Sequence, residues 1–236
     1  MEITKEELSK VKVPYGRVLV ELPYEQVEET TSGLKIVAYS DELKSALTAR
    51  SGKVIAINNN VDYPEKNLSF VPEREVEVGD KVWWTQNGIY EVLKNEDSVM
   101  KVIRCESKVY VVMNYYELVL RERNGEYLGL NDKVILRPIE KKLESSLFDL
   151  SMTSMAKPDR HILEVVYVPS FKGRYRDIDV NGHVIRNKNM VTKCKVGDKV
   201  HLMGQGARLA MLEDELNLTL EKHLHYIKSA DIGGIV

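Results

Sequence analysis

Apolar positions along this chain gather in short runs, and in most of them the residues are β-branched or alternate with polar ones. The clearest are Arg17-Val18-Leu19-Val20-Glu21-Leu22, Lys53-Val54-Ile55-Ala56-Ile57, Lys81-Val82-Trp83-Trp84 and Val109-Tyr110-Val111-Val112-Met113. Runs of this kind, separated by polar or glycine-bearing turns, read as strands. Helical spacing is confined to the start. A short helix is expected over residues 3–11, opened by Thr4 with Glu7 three residues on, the capping-box pattern, and stopped before Val13-Pro14. The fold class is all-β, and many short strands are usually accommodated in a barrel or a sandwich.

The strand pattern repeats. Glu77-Val78-Gly79-Asp80-Lys81-Val82 returns as Lys195-Val196-Gly197-Asp198-Lys199-Val200. One such turn leading into a strand proves little, but its surroundings return with it. Upstream, Gly16-Arg17-Val18-Leu19-Val20 corresponds to Asp132-Lys133-Val134-Ile135-Leu136. Downstream, the segment around Glu117 corresponds to the segment around Asp231. Three landmarks in one order at nearly equal intervals indicate a tandem duplication. The expected halves are residues 1–123 and 124–236, joined by a polar link over residues 121–130 that carries Asn124-Gly125 and Gly129.

Composition narrows the function. Of 236 residues, 34 are Lys or Arg and 36 are Asp or Glu, a net charge of −2. A chain so balanced lacks the basic face by which nucleic acid is held electrostatically, so no nucleic-acid partner is expected. No apolar run reaches the roughly 18–20 residues of a membrane span, so no membrane partner is expected either. Residues 1–10 are polar and acidic, unlike a secretory signal or an Arg-rich transit peptide. The two cysteines, Cys105 and Cys194, stand far apart in strand-like settings and read as small core residues in a reducing compartment. The expected address is cytoplasmic, in a bacterium or in the host cell of a phage.

The repeating unit resembles the GroES-type co-chaperonin. Its opening strand, of the form D-R-V-[IV]-V, is echoed by Gly16-Arg17-Val18-Leu19-Val20 and by Asp132-Lys133-Val134-Ile135-Leu136. The next strand, G-x-V-[IV]-A-[IV], is matched by Gly52-Lys53-Val54-Ile55-Ala56-Ile57. The V-K-x-G-D turn is matched by Val76-Glu77-Val78-Gly79-Asp80 and by Cys194-Lys195-Val196-Gly197-Asp198, and the closing E-S-D-I-L turn by Lys228-Ser229-Ala230-Asp231-Ile232. The resemblance implies two tandem GroES-like β-barrel domains with long mobile loops. It also implies a binding protein rather than an enzyme, one that caps a GroEL-type chaperonin and assembles as a ring-forming homo-oligomer. No cofactor is implied, since ATP belongs to the chaperonin partner.

In that family a mobile loop docks a short apolar tripeptide on the chaperonin. The match here is Gly33-Leu34-Lys35-Ile36, with Leu34 and Ile36 as anchors. Residues 25–51 are rich in Glu, Thr and Ser around this one apolar island, too little to fold alone. Burying two aliphatic side chains yields about 3 to 6 kcal/mol gross, from which the ordering of the loop is subtracted. Several loops must then act together for useful affinity. The alternative is that Leu34 and Ile36 belong to an edge strand. The corresponding stretch of the second half, residues 143–161, has no glycine at the matching place; Leu147, Phe148 and Leu150 are its candidate anchors.

A further variable stretch in each half, residues 58–74 and 169–193, corresponds to the family's roof hairpin. The second is basic, with Lys172, Arg174, Arg176 and Arg186 beside Phe171 and Tyr175, and reads as a solvated hairpin turning at Asn181-Gly182. Enzymatic motifs are weak. Gly204-Gln205-Gly206 lacks the third glycine and the following helix of a dinucleotide site. His223 and His225 have no visible third ligand, so no metal is expected. The competing function is a structural module, for example of a viral particle, that uses the same barrel for assembly.

Overall fold

The computed structural model describes residues 3–23, 50–62, 70–85, 102–106, 108–139, 159–178, 184–189, 194–202, 210–211 and 224–236. The first element is helix α1 (Lys5–Ser9), capped as the sequence indicates: the Thr4 hydroxyl accepts the Glu7 N–H at 3.3 Å, and Glu7 accepts the Thr4 N–H at 2.8 Å. It is shorter than the expected 3–11, because Lys10 closes the last turn onto Glu7 and Leu8. Everything after it is strand, turn or single 3-10 turn.

A seven-stranded sheet contains β1 (Arg17–Glu21), β2 (Ser51–Ile57), β4 (Lys81–Trp84), β5 (Val102–Cys105), β6 (Lys108–Asn114), β7 (Leu118–Arg123) and β8 (Glu126–Gly129). A six-stranded sheet contains β9 (Lys133–Ile139), β10 (Asp159–Tyr167), β13 (Lys199–Leu202), β14 (Ala210–Met211), β15 (His225–Lys228) and β16 (Ile232–Ile235). A third sheet joins β3 (Phe70–Val71), β11 (Arg174–Ile178) and β12 (Val184–Asn189). The all-β class holds, since the alternating runs singled out in the sequence are β1, β2, β4 and β6.

The large sheets have the same order. The first runs β5-β6-β1-β2-β4-β7, followed by β8; the second runs β14-β15-β9-β10-β13-β16. The register repeats with the order: Val18 faces Met113 as Val134 faces Ile227. A bulge between Trp83 and Trp84 on β7 recurs between His201 and Leu202 on β16. A 3-10 turn bridges the last two strands in each half, at Tyr115–Glu117 and at Ser229–Asp231. Tyr115 therefore corresponds to Ser229, which refines the alignment of the closing turn.

Each sheet buries one apolar face. Val18, Val20, Val54, Val82, Trp84, Val111, Met113 and Leu118 share the first core, and Val134, Leu136, Leu163, Val165, Val200 and Ile227 the second. The two cysteines are buried and unpaired, as core residues. Alternation explains the sorting, because neighbouring side chains on a strand face opposite ways. Trp84 therefore enters the first core, while Trp83 points to the other face and packs with Leu120, Ile135 and Leu224 between the sheets. Among the described residues no helix is long and apolar enough to cross a membrane.

Candidate functional site

The expected anchors Gly33, Leu34, Lys35 and Ile36, and Leu147, Phe148 and Leu150, lie outside the described residues, as do Asn181-Gly182, Gly204-Gln205-Gly206 and His223. What is described of the first loop is its two stems, at the end of β1 and the start of β2. Both are fastened to the sheet. The Leu22 N–H donates to Val109 O at 2.9 Å, and the Trp84 N–H to Arg50 O at 3.2 Å. Gly52 permits this closeness: a Cβ there would lie 2.5 Å from both Glu21 O and Val20 Cγ1. In the second half the stretch ends earlier than expected, because β10 already begins at Asp159.

Between the stems and the V-G-D turn lies an open groove of about 650 Å³, lined by Glu21, Pro23, Lys53, Glu77, Lys81 and Arg123 among others. The turn itself is built identically in both halves. Gly79 takes φ +99° and Gly197 φ +89°, where a side chain would be strained. Gly79 N–H donates to Val54 O, and Val54 N–H to Asp80 O; Gly197, Val165 and Asp198 make the same pair of bonds. Each Asp carboxylate then accepts an N–H three residues back, from Glu77 at 2.8 Å and from Lys195 at 2.7 Å.

On the groove floor the first-half turn gains an ion pair. Arg123 on β7 donates Nε to Asp80 Oδ1 at 2.7 Å and Nη2 to Oδ2 at 2.8 Å, while its Nη1 lies 3.1 Å from Glu77. Burial by itself would raise the Asp80 carboxyl. The Arg123 hydrogen bonds and charge and the Glu77 N–H outweigh it and hold the group below its ordinary value. The Asp80 hydrogen bonds raise Arg123 in turn. The groove thus offers paired charges beside the loop stems, and among the described residues no cluster of three His, Cys, Asp or Glu is placed to hold a metal.

The joint between the halves is more extensive than the sequence indicates. The polar link expected over residues 121–130 is a hairpin: Asn124 and Gly125, at φ +54° and +83°, turn β7 back into β8. Two left-handed residues in a two-residue loop are the preferred hairpin turn, and Asn-Gly is its commonest sequence. That signal was present at Asn124-Gly125 and was read only as a linker. After β8, Leu130 donates its N–H to Val119 O at 2.9 Å. Asn131 Nδ2, buried, donates to Tyr115 O and Leu118 O at 3.2 and 2.8 Å. Tyr127 stacks on Tyr167 at 5.0 Å between ring centroids and lies 6.1 Å from Trp83.

The roof segments also meet. β3 from the first half pairs with β11 from the second, Phe70 opposite Tyr175, with the rings edge to face at 5.4 Å. Gly173 makes room, since a Cβ there would lie 2.2 Å from the Phe70 ring. The hairpin of β11 and β12 forms as expected, but it is not simply a solvated basic surface. Lys172 and Arg174 are exposed, whereas Arg176 is mostly buried and bridges to Asp62 at 2.5 Å. Tertiary pairing, which composition does not report, separates these cations.

No protein-family model matches this sequence, and no curated protein matches it either.

Proposed function

We propose that the chain is a double-headed co-chaperonin, a GroES-like lid that caps an ATP-driven GroEL-type chaperonin and acts by binding. The observation that carries this reading is the repeated unit. One strand order, one bulge position and one V-G-D turn occur twice, on the motifs by which the sequence resembles that family. Each half would then be a GroES-like barrel. The long connection between β1 and β2 leaves from stems tied to the sheet and bears the single apolar island Leu34 and Ile36. A tethered segment of this kind suits weak docking that is multiplied by several copies.

The test is nucleotide-dependent co-sedimentation of the purified chain with a GroEL-type chaperonin, comparing wild type with the Leu34→Ser/Ile36→Ser double variant. Binding in the presence of ATP that the double variant loses supports the lid role. No binding to any host's chaperonin turns the reading to a structural module that shares only the barrel.

A further inference from the structure

The repeat is broken at one place. β8 covers the outer edge of β7, whereas no described strand lies on the outer edge of β16, the counterpart of β7. Ile235 and Val236 there are 54% and 66% exposed, and a Cβ built on Gly234 would meet nothing within 4 Å. Val236 donates its N–H inward to Lys199 O at 2.8 Å. By alternation, the N–H and C=O of Ile235 point outward. An unpaired strand edge of this kind is a template for another chain.

The strand that fills this place inside the chain is also known by correspondence. Residues before β1 match those before β9: Val13 with Gly129, Pro14 with Leu130 and Tyr15 with Asn131. Leu130 and Asn131 are buried in the internal joint, but Pro14 is exposed and Tyr15 is 63% exposed.

We infer that a second copy of this chain docks head to tail on the β16 edge through residues 10–15, in a weakened version of the joint that β7 and β8 make inside the chain. This deepens the lid reading by naming the surface that links several chains. The weakening follows position by position. Pro14 has no N–H where Leu130 donates to Val119 O. Gly234 stands for Leu120, His201 for Trp83, Val11 for Tyr127 and Ala56 for Tyr167. The stacked aromatic contact of the internal joint is thus absent between chains. Dilution should separate chains while the halves of each stay together. Front and tail are different surfaces, so the contact is heterologous and propagates from chain to chain.

The test uses the full chain without chaperonin, so failure of the lid reading leaves it intact. In the internal register Arg121 faces Leu128, which places Ile235 opposite Lys12 of the second copy. Single variants Lys12→Cys and Ile235→Cys, treated with a short bis-maleimide, should cross-link when mixed and not when separate. Cross-linking of Ile235→Cys with itself would mean edge-to-edge pairing of two β16 strands and would overturn the proposal, as would no cross-link in the mixture. Sedimentation supplies a second readout that does not depend on damaging the fold. Pro14→Leu/Tyr15→Asn restores the internal anchors and should lower the dissociation concentration by about tenfold; an unchanged or higher value overturns the weakened joint.

Discussion

Arg123 holds Asp80 with two parallel hydrogen bonds, Nε to Oδ1 at 2.7 Å and Nη2 to Oδ2 at 2.8 Å, across the mouth of the V-G-D turn. The carboxylate is almost wholly buried, while the arginine keeps part of its surface in water. Removing one partner leaves a buried charge unmatched, which costs more than the intact pair contributes. Arg123→Met should destabilise the first half by about 2–3 kcal/mol in urea unfolding. In a double-mutant cycle with Asp80→Asn, the coupling should be about 1–3 kcal/mol. Because the folded Asp80 value is depressed, its contribution is present above the ordinary value of 3.8 and is lost as pH falls below it. The acid limb of the wild-type stability curve should therefore be steeper than that of Asp80→Asn.

Glu75 behaves in the opposite sense. Burial raises its carboxyl, against hydrogen bonds from Ser170 and the charges of Lys172 and Arg121, and its Oε1 is buried without a partner. A raised folded value gives a contribution that is complete below the ordinary 4.5 and is lost as pH rises through the folded value. Glu75→Gln should raise the urea midpoint at pH 7 more than at pH 4. An equal shift at both would show that packing, not ionisation, sets the effect.

Asn131 closes the joint by donating to two main-chain carbonyls, Tyr115 O and Leu118 O. Asn131→Ala leaves both without that donor and should cost about 1–3 kcal/mol. Hydrogen exchange should locate the loss at β7, β8 and the Tyr115 turn, with the far strands β5 and β14 unaffected.

Gly173 touches the Phe70 ring where the two roof segments pair. Gly173→Ala inserts a methyl into occupied space and should destabilise the chain by about 1–3 kcal/mol. Gly52→Ala should do the same at the loop stem, where Glu21 O and Val20 Cγ1 are in the way. Thermal unfolding followed by far-UV circular dichroism measures both. The Gly52 variant should in addition weaken chaperonin binding, since it displaces the stem of the loop that bears Leu34 and Ile36.

The chain's own order of residues was enough to establish its strands and its repetition. Alternation of apolar and polar positions is a local signal, and β1, β2, β4 and β6 follow it almost residue for residue. Gly79 and Gly197 marked their turns because a left-handed backbone demands that residue. What the tertiary structure decided is which strand edges meet. β8 pairs into the first sheet although it follows the expected boundary, β3 joins β11 across the two halves, and Trp83 and Trp84 are sent to different cores. Arg176 looks like any surface cation until Asp62 is brought beside it. These contacts join residues far apart in sequence, and a main-chain edge offers the same N–H and C=O groups whatever its side chains. The choice of partner is made by packing and space, which exist only once the chain has folded.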